Sequence, residues 1–333
     1  MVKASSLLSY INISNEDALI FCSENSLTPF PFLAIEIALY EKLKLFHILS
    51  LYKKKPFLLI SLFPKDFAFN YIPYYGYVSH KNVRDWHINK STHKQILIDE
   101  NIKYILNFTE NHKEFNFSIS TEPGENDFRG IDWALTYNEH LKSKVLKGNL
   151  YTGILNLLPR LTLDDWIQKN FDSNKKRNYK KANSLRNDVE IINYLPDDLS
   201  NIYSSMFKAQ EIIITDECLK RFIFIVVNYI RKKNGIGEFL FFKKLNQDEK
   251  IIGYDFFILF KKTSYYLFGI NNPNLKKGSF PSFFWAQYRQ SFIKKGIERI
   301  DFVGVNSPQR GKFKTSLGSQ VIPYWYFFTE IIK

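Results

Sequence analysis

Apolar positions along the chain change period several times, and each change marks an element. From residue 31, PFLAIEIALYEKLK carries its apolar residues at helical spacing. From residue 46, FHILSLYKKKPFLLISLF holds two strand-like runs about a lysine triplet, the pattern of a hairpin. FNYIPYYGYVS, from residue 69, reads as an aromatic strand broken by Pro73 and Gly76, and NFSISTEPGENDFRGIDWALTYNE as a strand followed by a turn-rich loop. LYTGILNLL is a further strand, closed by Pro159, so a domain boundary is expected near residue 160.

The second half is more regular. Thr162 opens a helix, LDDWIQKNF, with acids in its first turn, and Ser173 is the expected cap of a second helix over NKKRNYKKANSLR. A third helix is expected from Thr215 to a stop at Asn234 and Gly235. GEFLFFKKL, KIIGYDFFILF and SYYLFGI read as three strands, and Phe284, Tyr288 and Phe292 recur at spacing four in a helix that Gly296 ends. ERIDFVGV is then a strand, residues 301–318 a glycine-bearing basic loop, and VIPYWYFF a last strand. This order of elements describes a mixed α/β layer with loops after strands as natural ligand positions.

Length turns one layer into two domains, because 333 residues exceed the usual single core. Apolar residues at 45% and aromatics at 17% describe a globular chain, and no apolar run approaches the length of a membrane span. The N-terminus has no small-residue cleavage site, so no secretory leader is expected. Cys22 and Cys218 stand far apart without CxxC spacing, which fits free thiols in a reducing cytoplasm. A net charge of +13 favours anionic partners, and the excess concentrates at Lys175, Lys176, Arg177, Lys180, Lys181 and Arg186, a helix without an acid.

Several chemistries are excluded by spacing. Gly304 and Gly311 are separated by six residues and Lys312 is followed by Phe313, so residues 301–318 are not a nucleotide phosphate loop. No dinucleotide fingerprint, HExxH, GxSxG or paired CxxC occurs. The six histidines all precede residue 141 without ligand spacing, so no metal is expected.

TEPGENDFRGIDW, YTGILNLL, NKKRNYKKA, IIGYDFF, SYYLFGIN and DFVGVNSPQRGKFKTSLG followed by PYWYFF together resemble the FemAB-like branch of the GNAT N-acyltransferase superfamily. The resemblance is clearest over residues 120–333, above all at Phe313, Lys314, Gly318 and Tyr324. It implies two tandem GNAT-like domains, each a mixed twisted sheet flanked by helices: residues 1–160, residues 161–318 with the donor and acceptor site, and a strand at 319–333 that packs back on the first domain. It also implies transfer of an acyl or aminoacyl group from a thioester or an aminoacyl-tRNA to an amine.

Direct attack by an amine needs a polarised carbonyl and donors for the oxyanion, not a covalent nucleophile. Lys314 is the candidate for the oxyanion or a donor phosphate, Asp301 for orienting or deprotonating the amine, and Tyr324 for protonating the leaving group. Arg310, Asn306 and Phe313 are the candidate substrate contacts. Lys276, Lys277, Gly278 and Ser279 occupy the place where this fold cradles a pyrophosphate, although Leu275 stands where the superfamily has Gln or Arg. Two donors follow. Acyl-CoA with a small amine or amino-sugar acceptor is the first expectation. Aminoacyl-tRNA, held by Lys175, Lys176, Arg177, Lys180 and Lys181, is the second. A non-catalytic nucleic-acid-binding module, with Tyr179 set among the lysines, is the alternative outside the family.

Overall fold

The computed structural model describes residues 7–67, 72–84, 91–123, 127–137, 145–184, 188–209, 236–246, 248–273 and 281–329, excepting the side chains of Gln309 and Arg310. The helix expected from Thr215, together with Cys218, Lys276, Lys277, Gly278 and Ser279, lies outside the described residues. The chain divides into two compact units, Met1–Leu150 with Pro323–Lys333, and Tyr151–Ile322.

The first unit contains β1 (Leu8–Ile13), α1 (Asn15–Asn25), α2 (Phe30–Tyr40), β2 (Phe46–Tyr52), β3 (Lys55–Pro64), β4 (Tyr77–Ser79), α3 (Lys81–Arg84), α4 (Ser91–Asn111), β5 (Phe115–Asn116), β6 (Ser118–Ser120) and α5 (Arg129–Thr136). In order β1-β2-β3-β4 these strands form an antiparallel sheet, with β5 beside the end of β3. The expected hairpin is present: Tyr52 pairs with Lys55, leaving Lys53 and Lys54 as a two-residue turn with both φ positive, 50° and 64°. That turn matches the twist of the strands but ordinarily takes Asn-Gly. The expected aromatic strand shortens to Tyr77–Ser79, after Gly76 turns the backbone at φ 80°. α4 buries Leu97, Ile98, Ile102, Ile105 and Leu106 against Phe57, Leu58 and Ile60 of β3.

His47 on β2 is 1% exposed, with Asn15 Oδ1 and Ser61 Oγ each 2.9 Å from a ring nitrogen. A neutral imidazole satisfies both, donating at Nε2 and accepting at Nδ1, and burial lowers its pKa to about 4. The folded value lies below the unfolded one, so stability is constant above pH 6.5 and falls as pH drops toward 4. Urea unfolding of the wild type at pH 5 against pH 7 is expected to show a loss of about 2 kcal/mol from this residue. His47→Gln is expected to lack that increment; equal pH dependence in the two chains contradicts the assignment.

β7 (Val145–Asn156) begins in the first unit and ends in the second, which continues with α6 (Leu163–Asn170), α7 (Ser173–Ser184), β8 (Asp188–Ile192), α8 (Leu199–Lys208), β9 (Glu238–Leu245), β10 (Ile251–Phe260), β11 (Thr263–Asn271), α9 (Pro281–Lys294), β12 (Arg299–Asp301) and α10 (Pro308–Thr315). β13 (Gln320–Thr329) pairs antiparallel with β6 through Tyr326 to Phe328. Strand order in the second unit is β7-β12-β11-β10-β9-β8, parallel between β11 and β12 and antiparallel elsewhere. Nine of the ten residues of β10 are buried, as a central strand covered on both faces requires. α9 lays Phe284, Tyr288 and Phe292 on this sheet, with Phe292 5.0 Å from Phe257 and Tyr288 4.4 Å from Phe242. The spacing-four aromatics are thus core, each worth roughly 1.5–3 kcal/mol of burial.

Local signals explain the helix starts. Thr162 Oγ accepts from the Asp165 N–H as expected. α7 is capped one residue earlier than the sequence suggested: Asp172, not Ser173, accepts the Lys175 N–H at 2.7 Å, because a carboxylate is the stronger acceptor at a helix N-terminus. Residues 301–318 are also more ordered than the expected loop. Pro308, its φ already fixed at a helical value, starts the two-turn helix α10. Among the described residues, no helix is long and apolar enough to cross a membrane.

Candidate functional site

The turn from β12 into α10 concentrates the sequence-predicted residues of the second unit. β12 ends at Asp301, and Val303 then takes φ 61° and Gly304 φ 146°. A β-branched residue at positive φ is strained, and such strain persists only where surrounding contacts over-determine it. Here they do. Asp301 Oδ1 accepts from Thr152 Oγ1 at 2.5 Å and from the Val303 N–H at 2.7 Å. The Phe302 and Val305 N–H groups donate to the carbonyls of Gly153 and Tyr151, each at 2.9 Å, and Asn306 Oδ1 accepts from the Tyr151 N–H at 2.7 Å.

Lys314, the penultimate residue of α10, closes the arrangement. Its Nζ donates to the Phe302 carbonyl at 2.9 Å and the Gly304 carbonyl at 2.5 Å, bracketing the strained residue. The same amine lies 5.8 Å from the ring centres of Tyr266 and Phe302. Gly311 lets α10 approach this turn, since a Cβ there would sit 2.5 Å from the Val305 carbonyl oxygen. Gly318, at φ 89°, brings the chain out past Asn170. Phe313 packs against the α9 side of the core, with its ring 6.5 Å from that of Trp285.

Asp301 is 2% exposed. Tyr324, 4% exposed on β13, belongs to the first unit and packs edge-on to Tyr74 at 4.8 Å. The basic residues of α7 differ in exposure. Arg177, Lys180 and Lys181 are exposed, Lys176 is half-buried, and Lys175 turns inward with its Nζ 4.6 Å from the Phe313 ring centre. Burial lowers the Lys175 pKa, an effect Asp172 partly offsets.

Beneath the site lies a polar cluster that sequence reasoning missed. Asp255 on β10 and Lys244 on β9 are 3% and 4% exposed, with Nζ and Oδ2 3.1 Å apart. Tyr266 donates to Asp255 Oδ1 at 2.9 Å, Tyr288 to Oδ2 at 2.6 Å, and Lys244 also donates to Asn271 Oδ1 at 2.7 Å. Burial, then the Asp255 charge, raises the Tyr288 pKa well above its usual value, so its hydroxyl remains a donor. Gly269 makes room: a Cβ there would fall 1.7 Å from the Tyr266 hydroxyl. The available signal was a lone acid inside the apolar run IIGYDFFILF, next to a run, FLFFKKL, that carries two lysines. Among the described residues, no group of His, Cys, Asp and Glu is arranged to hold a metal ion.

No protein-family model and no curated protein sequence matches the chain. Solved structures do. FemX aligns over 95% of this chain and 96% of its own with a TM-score of 0.60 and 10% identity. L-PGS from Bacillus licheniformis aligns over 96% and 93% with a TM-score of 0.54 and 8% identity. A tandem GNAT protein from the clavulanic acid biosynthesis pathway aligns over 97% and 98% with a TM-score of 0.52 and 9% identity. At these identities the likeness is one of fold. The architecture is the tandem GNAT, FemAB-like one that the sequence resemblance implied.

Proposed function

We propose, on the premise of this fold, that the chain is an amide-forming transferase in which Lys314 stabilises the tetrahedral oxyanion. The observation that carries the proposal is the Lys314 ammonium held on two carbonyls over a strained turn. A charge fixed in that way needs no reorganisation when negative charge develops on a reacting carbonyl, which is the usual source of a large rate effect. The acceptor nitrogen attacks the acyl carbonyl, the C–N bond forms as the donor's C–S or C–O bond breaks, and the proton shed by the amine leaves with the donor's thiol or hydroxyl. Asp301 acts in this scheme by holding the Val303 N–H, and so by setting the turn on which Lys314 rests.

Acyl-CoA is the preferred donor, with a small-molecule amine or amino sugar as acceptor. One specific observation favours the second donor, aminoacyl-tRNA: Arg177, Lys180 and Lys181 stand exposed on a helix without an acid. The test is a salt series of tRNA and CoA affinities for the wild type and for Arg177→Gln/Lys180→Gln/Lys181→Gln. With tRNA as donor, each lost phosphate contact is expected to flatten the log-log salt slope by about one unit or slightly less. CoA binding that the substitutions leave unchanged, with only weak tRNA binding throughout, supports the preferred donor. Micromolar tRNA binding that collapses in the variant overturns it.

A further inference from the structure

The inward stripe of α7 is Lys175, Tyr179 and Ala182, at positions i, i+4 and i+7. Tyr179 stacks on Phe283 of α9 at 6.4 Å and Ala182 is fully buried, so this is the core-facing side of the helix. A lysine on such a stripe contradicts the pattern of its own helix. Violations of that kind are where natural sequences place function.

What surrounds the amine makes the contradiction specific. Five lysines of the second unit end on oxygen: Lys243 on Glu190, Lys244 on Asp255 and Asn271, Lys262 on Glu298, Lys295 on Glu238 and Lys314 on two carbonyls. The half-buried Lys175 amine meets the Phe313 ring face and no oxygen among the described residues. Asp172 accepts the Lys175 backbone N–H through Oδ1, and its charge acts on the amine without an ion pair. A ring face compensates a desolvated ammonium less well than an anion does. The cation is also set in the first turn of α7, where the helix dipole disfavours positive charge.

We infer that Lys175 is a ligand-contact residue whose amine, seated over Phe313, takes an oxyanionic group of a small-molecule ligand, a phosphate or a carboxylate. It acts separately from the exposed Arg177, Lys180 and Lys181, and it places a ligand charge one residue away from Lys314 along α10. The inference stands apart from the transfer chemistry: binding is measured without turnover, so failure of either leaves the other intact.

The experiment is calorimetric titration of the full chain, at fixed ionic strength, with inorganic pyrophosphate in one arm and succinate in the other. Lys175→Met keeps an apolar stem on Phe313 and removes the charge; Lys312→Met, on the exposed side of α10, is the control. Saturable binding of one oxyanion by the wild type and by Lys312→Met is expected, weakened at least tenfold in Lys175→Met, and the arm that binds identifies the class. The melting temperature of Lys175→Met is expected to equal or exceed that of the wild type, since a half-buried charge that Asp172 only partly offsets is lost. Lys175→Gln serves the same purpose if the methionine variant does not fold. Absence of saturable binding in both arms, or equal affinity in wild type and Lys175 variants, overturns the inference.

Discussion

Lys314→Ala is expected to lower turnover by about 10²–10³, the usual cost of removing one preorganised oxyanion donor. Stability is expected to change much less. The substitution frees the carbonyls of Phe302 and Gly304, but Asp301, Gly153 and Tyr151 still hold the turn through the Val303, Phe302 and Val305 N–H groups. A loss of roughly 1–3 kcal/mol is the expected scale for charge-assisted bonds at a half-buried site. Lys314→Arg is not expected to rescue, because a planar guanidinium cannot place its donors as the ammonium does. The check is initial rate against melting temperature for each variant; turnover within a few-fold of wild type would falsify the assigned role.

Asp255→Asn is expected to be the most destabilising single change in the second unit. The carboxylate accepts from Tyr266, Tyr288 and Lys244 inside an aromatic core, and an amide leaves the Lys244 ammonium buried without its anion. Breaking a buried pair from one side costs about 3–5 kcal/mol. Lys244→Met in the same chain removes the stranded charge, so the double variant is expected to be less damaged than the sum of the singles. Denaturant unfolding followed by a second-unit probe reads both effects. A loss under about 1 kcal/mol for Asp255→Asn, or strict additivity in the double variant, contradicts a coupled buried pair.

The second unit was largely legible in sequence because its signals are local and periodic: alternating apolar runs in β9 to β11, aromatics at spacing four in α9, and a threonine cap on α6. The first unit was less so. The stripe of α4 is interrupted by Gln95, Asp99 and Asn101, all buried, and a polar residue facing a core hides the period that a reader counts. Gln95 earns its place only in three dimensions, donating to the Asp127 carbonyl and accepting from the Gly130 N–H. The site was half-visible for a similar reason. Phe313 and Lys314 stand in a recognisable motif, whereas the inward turn of Lys175 and the Asp255 cluster depend on which face of a helix or strand is covered. Charge counting alone grouped Lys175 with its exposed neighbours.

The most direct test of the central claim is the fate of the donor bond. Melting curves of the wild-type chain are recorded with acyl-CoA, with aminoacyl-tRNA and without ligand, and parallel unheated mixtures are given a pool of primary amines and analysed by mass spectrometry for a new amide. One donor is expected to raise the melting temperature by mass action, and the same donor is expected to be consumed with amide formation that Lys314→Ala abolishes. Neither donor shifting the melt, with both decaying only at their buffer rates, contradicts it.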